Sequence, residues 1–442
     1  MTLKTGISGI RGIVGDSLTD EVISDFAKAF ATYIKKGRIV IGRDTRASGK
    51  KLEKLVVTAL KALGISVINA GICPTPTVLL LVKEFKADGG IVITASHNPP
   101  QWNGFKFISR KGIFLDGKQN KELLKKYASK KFKGSRGKGG SKVLKQPYKD
   151  HINTIFKNID TKGIRKEKFK VVLDSCNGAG SIITVKLLKQ LGCKVVPLYT
   201  DTKKGFPRGA EPTPKNLKAL CRKVKKEKAD IGFAQDPDAD RLSIVTDKGI
   251  AVGEEYTLAL SAMYVLSLKR GKRAVATNLS TSMMIDDVAK RYNAKVIRSK
   301  VGEINVTKKL LKAGAVIGGE GNGGVIYPKT VCSRDSLTGI ALILALMAGR
   351  DKKISALVKE IPKYHMIKSK VRCSSPREVE FLLKKTKHLY KKGRINTLDG
   401  IKISIKDLWI HVRPSNTEPV ARVIAEGKNK KEVQKAVRSL IK

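Results

Sequence analysis

The chain has 442 residues, and its 89 Lys and Arg against 38 Asp and Glu give a formal net charge of +51. This length suggests roughly three domains of ~150 residues, and a hydrophobic fraction of 41% excludes a disordered polycation, which lacks the apolar surface needed to offset the entropy of ordering. The longest apolar-rich stretch, 337–349, is shorter than the ~20 residues of a membrane-spanning helix. The first residues lack the apolar core of a signal peptide, and the six cysteines form no C-x-x-C pair that would indicate zinc. We therefore predict a cytoplasmic protein with reduced thiols and no membrane segment.

The first third of the chain alternates short apolar runs with stretches of helical spacing. Apolar runs bounded by glycine predict strands, and apolar residues that recur every three or four positions predict helices. Strands separated by helices pair in parallel through right-handed crossovers. The predicted order is strand 38–41, helix 50–63, strand 65–68, helix 77–85 and strand 90–94.

The same β-α-β-α-β pattern recurs twice further along the chain, which indicates three copies of one α/β unit. In open α/β sheets ligands bind beyond the carboxyl ends of the strands, so the loops that end the three series can face one cleft. The remaining segments predict a smaller α+β domain. The second series is 169–173, 182–191, 194–198, 216–224 and 231–234, the third is 274–277, 282–292, 294–297, 304–311 and 315–317, and the last domain has 378–390, 401–405, 409–412, 420–425 and 431–440.

The positive charge makes any polyanion a candidate partner. Lysines are spread through the predicted helices, and the densest basic run, 125–142, is glycine-rich and free of acidic residues, which predicts a flexible loop. Non-specific association with nucleic acid is therefore kept as a second hypothesis. The scarce carboxylates gather instead in short glycine-rich segments, and chemistry is expected there.

A polar loop after the predicted strand 90–94 carries a serine and a histidine side by side. Ser96 follows the strand end and two prolines stiffen the residues behind it, which suits a nucleophile or a phosphate carrier. Neighbouring side chains in extended backbone point apart, so His97 is expected to structure the loop. An ordinary polar turn is the alternative for this loop taken alone.

Three aspartates alternate in the loop after the predicted strand 231–234. Carboxylates at Asp236, Asp238 and Asp240 can converge on a hard cation. A calcium-binding EF-hand loop would need glycine at its sixth position and glutamate at its twelfth, where this chain has Arg241 and Asp247. Carboxylates so close together repel one another without a cation, so the spacing favours Mg²⁺ over a solvated acidic turn.

Two further segments offer groups that suit sugars and phosphates. In the glycine-rich 318–324 loop, Glu320 supplies an acceptor and Asn322 an amide for sugar hydroxyls. Near the end of the chain a guanidinium, two hydroxyls and an amide crowd into one turn, which suits phosphate oxygens, and Arg11 adds a cation near the start. These donors are Arg413, Ser415, Asn416 and Thr417.

Five motifs resemble those of the α-D-phosphohexomutase superfamily, in the same order and over almost the whole chain. They are Ser8-Gly-Ile-Arg-Gly12, Thr94-Ala-Ser-His-Asn-Pro-Pro100, Asp236-Pro-Asp-Ala-Asp-Arg241, Gly319-Glu-Gly-Asn-Gly-Gly324 and Arg413-Pro-Ser-Asn-Thr-Glu-Pro419. The resemblance implies three related α/β domains with mixed sheets, 1–145, 146–248 and 249–362. A C-terminal α+β phosphate-binding domain, 363–442, would complete a central cleft.

The resemblance also implies a role for each motif residue. Ser96 would be a phosphoserine, one oxygen of which binds Mg²⁺ together with the three aspartates. Lys106, Arg241 and Arg11 would lie beside the reacting group, and Lys300 would lie in a substrate loop. Glu320 and Asn322 would bind sugar hydroxyls, and the non-reacting phosphate would be held by Arg413, Ser415, Asn416 and Thr417.

The implied activity interconverts a hexose 6-phosphate and 1-phosphate through a sugar bisphosphate, which also serves as activator. Bacterial phosphomannomutases and phosphoglucomutases often have histidine where Gly324 stands and serine where Asn322 stands, whereas this version resembles the archaeal phosphoglucosamine mutase branch. Glucosamine phosphate is therefore the first expectation, with phosphomannose or phosphoglucose as the alternative. A basic nucleic-acid-associated protein on an inactive scaffold and a phosphatase are rival functions, and a monomer or homodimer is expected.

Overall fold

The computed structural model describes residues 3–6, 9–134, 137, 139–268, 271, 273–373, 375–415 and 419–441. Of the predicted features, Ser8, Asn416 and Thr417 lie outside the described residues, as do Arg136 and Lys138 of the basic run. The described chain forms four sheets, each with its own helices.

The first sheet has seven strands in the order β1-β2-β6-β5-β3-β4-β7. Its central strands β5, β3 and β4 are parallel, as predicted, and β6 returns antiparallel beside β5. Helix α4 covers the first part of the run expected to be a flexible loop, and β7 its end, so that prediction was wrong for these parts. The elements are β1 Lys4–Gly6, β2 Gly9–Ile13, α1 Asp20–Ile34, β3 Arg38–Arg43, α2 Gly49–Ala62, β4 Ser66–Ile72, α3 Thr75–Glu84, β5 Gly89–Ile93, β6 Trp102–Ser109, α4 Gly117–Ser129 and β7 Ser141–Val143.

The second and third sheets repeat one design of four strands, in the orders β11-β10-β8-β9 and β13-β12-β14-β15. In each sheet three strands are parallel and the last one returns antiparallel, so both are mixed. The elements are α5 Lys149–Asn158, α6 Thr161–Glu167, β8 Lys170–Asp174, α7 Gly180–Gln190, β9 Lys194–Leu198, a 3₁₀ turn Pro214–Asn216, α8 Lys218–Glu227, β10 Ile231–Gln235, β11 Leu242–Thr246, α9 Glu255–Ser267, β12 Arg273–Asn278, α10 Met284–Arg291, β13 Ala294–Ser299, α11 Glu303–Ala313, β14 Ile317–Glu320, β15 Gly324–Ile326, α12 Ser336–Arg350 and α13 Ile354–Lys359.

The fourth sheet is antiparallel throughout, in the order β16-β20-β19-β18-β17. Two helices cover it, and together they enclose a separate hydrophobic cluster that includes Ile403, Ile410 and Val423. The elements are β16 His365–Arg372, α14 Pro376–Leu389, β17 Arg394–Asn396, β18 Ile401–Ile405, β19 Leu408–Pro414, β20 Val420–Gly427 and α15 Lys430–Ile441. The predicted fold class, three related α/β domains plus an α+β domain, is confirmed.

The second and third domains share one hydrophobic core. Helix α12 is apolar on nearly every face because it lies inside this core, between α9 and α6. This helix is the apolar-rich stretch noted in the sequence, and none of the described helices is long and apolar enough to cross a bilayer. The shared core holds two of the chemically interesting loops, those after β10 and β14, in a fixed relation.

Candidate active site

Three aspartates lie in the turn between β10 and β11. Asp236, Asp238 and Asp240 are fully buried, and one oxygen from each lies within 4.8 Å of the others. The turn is tight because Ala239 takes a left-handed conformation at φ +55°, and backbone N–H groups of Asp240 and Arg241 each donate to Asp236 Oδ1 at 3.1 Å. The turn therefore aims all three carboxylates at one point.

The predicted serine loop meets this turn across the boundary of two domains. Ser96 follows β5, and its hydroxyl donates to Asp236 Oδ2 at 3.2 Å. Its backbone is left-handed at φ +50°, a conformation that costs free energy in a residue other than glycine. His97 Nδ1 lies 3.5 Å from Ser96 Oγ, and the charge of Arg241, with burial, holds the pKa of His97 well below its ordinary value.

A buried arginine clamps the serine loop from behind. The guanidinium of Arg46 donates to four backbone carbonyls of the loop, those of Ser96 and Asn98 at 2.6 and 2.8 Å and those of Pro99 and Trp102 at 2.6 and 2.9 Å. Its Nε donates to Asp44 at 2.9 Å. Asp44 accepts in turn from Thr94 Oγ1 at 2.6 Å, and this hydroxyl accepts from the Ser96 N–H at 2.9 Å. The network holds the strained residue in place.

Cations surround the aspartates. Lys106 on β6 donates to Asp238 at 2.6 Å and to Asp240 at 2.9 Å. Burial lowers the pKa of Lys106, but the two carboxylates outweigh it and raise that pKa above its ordinary value. Arg241 pairs with Glu211 at 2.8 Å, and Arg11 donates to Asn98 Oδ1 at 2.8 Å.

The three aspartates pass a test of fit for a hard divalent cation. Among the described residues, Asp238 Oδ1 and Asp240 Oδ1 are buried and accept no hydrogen bond. Burial, and after it the charges of Asp240 and Asp238, raise the pKa of Asp236 well above its ordinary value. Carboxylate oxygens that converge in this way are the donors that Mg²⁺ takes in proteins.

The glycine-rich loop lies between β14 and β15, and its glutamate is held by four donors. Asn278 Nδ2 and the Gly302 N–H donate to Glu320 Oε1 at 2.8 and 3.1 Å, and Arg334 and Asn322 donate to Oε2 at 2.9 and 3.4 Å. A carboxylate has about four lone-pair sites, so each one is occupied. The bond from Asn322 is the longest of the four.

Arg334 is a buried residue that the sequence analysis missed. It precedes α12, and its guanidinium contacts Asp240 at 2.6 Å, Glu320 at 2.9 Å and Glu303 at 3.1 Å. Burial lowers the pKa of Arg334, but these three carboxylates raise it well above its ordinary value. Burial raises the pKa of Asp240, and Arg334, Lys106 and Arg241 together bring it below its ordinary value. The sequence around Arg334 has no unusual spacing or composition, so nothing in the sequence singles this arginine out.

The fourth domain supplies a row of cations. Arg413 lies opposite Arg422 on neighbouring strands, and Arg422 lies opposite Lys370. All three line the cleft, as does Ser415. Like charges on facing strand positions destabilise a sheet, and an anion beside them would offset this cost. The sequence analysis named Arg413 and Ser415 but not Arg422 or Lys370, although the alternating basic residues of β16, Lys368, Lys370 and Arg372, could have indicated Lys370.

Polar contacts join the third and fourth domains. His411 is buried, its Nδ1 lies 2.9 Å from Ser280 Oγ, and its Nε2 lies 2.7 Å from the Asp399 carbonyl. Burial lowers the pKa of His411 to about 4. Val301 N–H donates to Asp399 Oδ2 at 2.8 Å. Lys300, the predicted substrate-loop residue, is exposed beside it.

All four domains line one cleft of ≈ 770 Å³. Its wall brings together Arg11, His97 and Lys106 from the first domain, Arg241 from the second, Glu320, Asn322 and Arg334 from the third, and Arg413, Ser415 and Arg422 from the fourth. The buried serine and the carboxylate triad lie directly behind this wall, next to His97, Lys106 and Arg241. This arrangement is the one expected of the phosphohexomutase class.

Comparison with known families agrees with this class, and the chain belongs to the phosphoglucomutase/phosphomannomutase family. The family models match alpha/beta/alpha domain I at residues 2–134, domain II at 146–249, domain III at 254–364 and the C-terminal domain at 366–442. The resemblance inferred from the motifs is thereby confirmed.

Two relatives and one solved structure show what the chain is similar to. It is 39% identical to a Thermococcus kodakarensis protein named "Phosphoglucomutase/phosphomannomutase", over 97% of this chain and 95% of the relative. It is 37% identical to a Pyrococcus abyssi protein named "Probable phosphoglucosamine mutase", over 97% and 95%. A crystal structure of a phosphoglucomutase/phosphomannomutase family protein from Burkholderia thailandensis superposes with a TM-score of 0.85 at 26% identity, covering 99% of this chain and 96% of that one.

Proposed function

We propose that this protein is a phosphosugar mutase that interconverts the 6-phosphate and 1-phosphate of a hexosamine, with glucosamine phosphate as the preferred substrate. The observation that carries the proposal is the 3.2 Å contact between Ser96 Oγ and Asp236 Oδ2 beside a cationic cleft. A hydroxyl so close to a carboxylate cluster suits phosphoryl transfer, in which catalysis rests on positioning and on charge stabilisation.

Ser96 is proposed to carry the phosphoryl group as an ester. A sugar hydroxyl attacks the phosphorus and loses its proton as the new O–P bond forms. The Ser96 Oγ–P bond breaks, and Oγ gains a proton. The resulting bisphosphate turns around in the cleft, and Ser96 takes the other phosphoryl group by the same step in reverse. A sugar bisphosphate is therefore also the activator expected to load Ser96.

The cations of the cleft have separate tasks in this scheme. Lys106, kept charged by Asp238 and Asp240, would neutralise the phosphoryl oxygens as they move, with Arg241 and Arg11 beside it. Arg413 and Ser415 would hold the phosphate that does not react, together with Asn416 and Thr417 of the same motif, and Lys300 would bind the substrate. A fixed distal phosphate sets the direction of attack.

The cofactor expected at Asp236, Asp238 and Asp240 is Mg²⁺, with a phosphate oxygen on Ser96 as a further ligand. When bound, Mg²⁺ supplies positive charge that stabilises the transferring group. The oxygens of Asp238 and Asp240 that accept no hydrogen bond support this assignment.

The hexosamine assignment rests on the glycine-rich loop, in which Asn322 and Gly324 follow the pattern of the archaeal phosphoglucosamine mutase branch, and on the name of the Pyrococcus relative. A second candidate is a phosphomannomutase or phosphoglucomutase, because the Thermococcus relative of that name has the higher identity. Glu320 serves either choice, since a carboxylate accepts from the hydroxyl groups of any hexose.

Three broader properties belong to the same proposal. The charge of +51 supports a salt-dependent association with nucleic acid beside catalysis, seen as RNA retention that falls steeply between about 50 and 200 mM salt.

All six cysteines are free thiols, which agrees with a reducing compartment such as the cytoplasm. A monomer or homodimer is expected on gel filtration.

The test is a substrate panel with purified protein, Mg²⁺ and sugar bisphosphate. Isomerisation of glucosamine, glucose and mannose 6-phosphates is compared with release of free phosphate, which would indicate a phosphatase. We expect the highest kcat/KM with glucosamine 6-phosphate and no turnover by Ser96→Ala. The matched control is Ser66→Ala, at an exposed serine that opens β4. Substantial isomerisation by Ser96→Ala contradicts the carrier role.

A further inference from the structure

We propose that Arg334 positions the Glu320 carboxylate for the sugar, and that position 324 is glycine because the Arg334 side chain occupies the space above it. The inference deepens the proposed function and rests on it, since it concerns how the same cleft recognises a sugar hydroxyl. The motif resemblance gives no role to Arg334 or to Gly324.

The first step is the reach of the guanidinium. One planar group contacts the carboxylates of Asp240, Glu320 and Glu303, which come from the turn after β10, the end of β14 and the start of α11. The Arg334 N–H also donates to Glu303 Oε1 at 2.8 Å. Arginine alone offers this rigid fork of donors, so one residue fixes the relative positions of the aspartate turn and the glycine-rich loop.

The second step is the state of Glu320. Its four donors occupy all the lone-pair sites of the carboxylate, so a sugar hydroxyl must replace one of them. Asn322, at 3.4 Å, makes the weakest bond and is the donor expected to leave. Arg334, Asn278 and the Gly302 N–H then keep the carboxylate oriented while the hydroxyl binds.

The third step is the contact with Gly324. A Cβ built at this position would lie 2.1 Å from Arg334 Cδ and 2.7 Å from Cγ, far closer than atoms can approach. The backbone of Gly324 is not left-handed, so its conformation does not require glycine. The space taken by Arg334 is therefore the reason for glycine, and any side chain at 324 would push the guanidinium off Glu320.

This argument predicts that the two positions are coupled. In Gly324→Ala the new methyl group displaces Arg334, and loss of its one charge-assisted hydrogen bond to Glu320 should lower kcat/KM by about 10- to 100-fold. Glu320 binds the sugar in the ground state and the transition state alike, so the loss should appear mainly in KM. Once Arg334→Ala has removed the obstructing atoms, adding Gly324→Ala should change kcat/KM less than twofold.

The experiment is a double-mutant cycle with Gly324→Ala, Arg334→Ala and the double variant. Glucosamine 6-phosphate turnover is measured, and binding of the same sugar phosphate is followed by calorimetry. Gly349→Ala is the matched control, because this helical glycine in α12 has no heavy atom within 4 Å of a built Cβ, and wild-type kinetics are expected. If Arg334→Ala does not fold, Arg334→Ser takes its place. Arg334→Lys should have a KM between that of Arg334→Ala and that of the wild type.

Strong non-additivity, seen in KM and in calorimetric affinity, supports the proposal. Additive effects of Gly324→Ala and Arg334→Ala, or a Gly324→Ala variant with wild-type KM and affinity, overturn it. Failure of the proposed function is distinct, because the wild type would then isomerise none of the sugar phosphates. Calorimetric binding would still show in that case whether the two positions are coupled.

Discussion

Replacement of Arg46 by lysine removes the planar fork from the back of the serine loop while keeping the positive charge. Arg46 makes five side-chain hydrogen bonds, four of them to carbonyls of the residues around Ser96. A lysine ammonium is a compact group without the spread of the guanidinium fork. It can donate to the carbonyls on one side of the former guanidinium, and at least two carbonyls on the other side lose their hydrogen bond.

The magnitude follows from those lost bonds. A hydrogen bond to a charged group contributes ~1.5–3 kcal/mol, so the loss of two should lower the free energy of unfolding by ~3–6 kcal/mol. Part of the loss should appear as local opening, because the left-handed conformation of Ser96 persists only while its surroundings enforce it. We therefore expect kcat to fall as well, since a loop displaced by ~1 Å can reduce the rate about 100-fold.

The assay combines denaturant unfolding, amide hydrogen exchange over residues 94–102 and isomerase kinetics. Arg38→Lys is the matched control, because this arginine is exposed at the start of β3 and surface substitutions usually change stability by less than ~0.5 kcal/mol. Wild-type unfolding free energy, exchange and kcat in Arg46→Lys would together refute the reasoning.

Three other changes have defined outcomes. Asp238→Asn should weaken Mg²⁺ binding in calorimetry at least tenfold, because an amide replaces a charged ligand; an unchanged metal titration would count against the triad. Arg413→Ala should raise KM for sugar phosphate about 10- to 100-fold by loss of a charged phosphate contact, with Arg377→Ala on α14 as control, and equal KM values would contradict the phosphate site. His411→Gln should remove a pH dependence of stability, measured by denaturant unfolding at pH 7 and pH 4.5.

The sign of this pH dependence follows from the burial of His411. Its pKa in the folded protein is about 4, against ~6.5 in the unfolded chain. Between these values the unfolded chain binds more protons, so the contribution of His411 to stability is present above pH ~6.5 and is lost as the pH falls towards 4. At 1.36 kcal/mol per pKa unit the full loss is ~3 kcal/mol. A wild type and a His411→Gln variant with the same change between pH 7 and pH 4.5 would show that this histidine is not responsible.

Several elements could be predicted from the sequence because they depend on local spacing. The strand at 194–198 and the strand at 401–405 were predicted with the observed bounds, and the helices that were predicted lie within a few residues of their observed limits. Helices α1, α4, α5, α6, α9, α12 and α13 were not predicted. The antiparallel strands β6, β11 and β15 were missed. They follow the polar loops directly, and a strand that is buried along its whole length lacks the alternation that would identify it.

Site residues divide in the same way. The three aspartates and the glycine-rich loop stand out because acidic residues and glycines recur there at short spacing, and Ser96 stands out at the end of a strand. The 3.2 Å contact of Ser96 with Asp236 shows that the serine meets the aspartates in space. Neither Arg46 nor Arg334 was given a role by the sequence analysis. In a chain with 89 basic residues, the local sequence does not distinguish one functional arginine from the others.

The amino-acid sequence by itself determined the family, the order of the α/β units and the residue types available for phosphoryl transfer, since these depend on periodicity and short motifs. Only the tertiary structure decided which cations meet which carboxylates. Lys106 and Asp240 are 134 positions apart, and Arg334 and Asp240 are 94 apart. Their pairing depends on where the ends of strands in different domains converge, and that convergence results from packing of the whole chain.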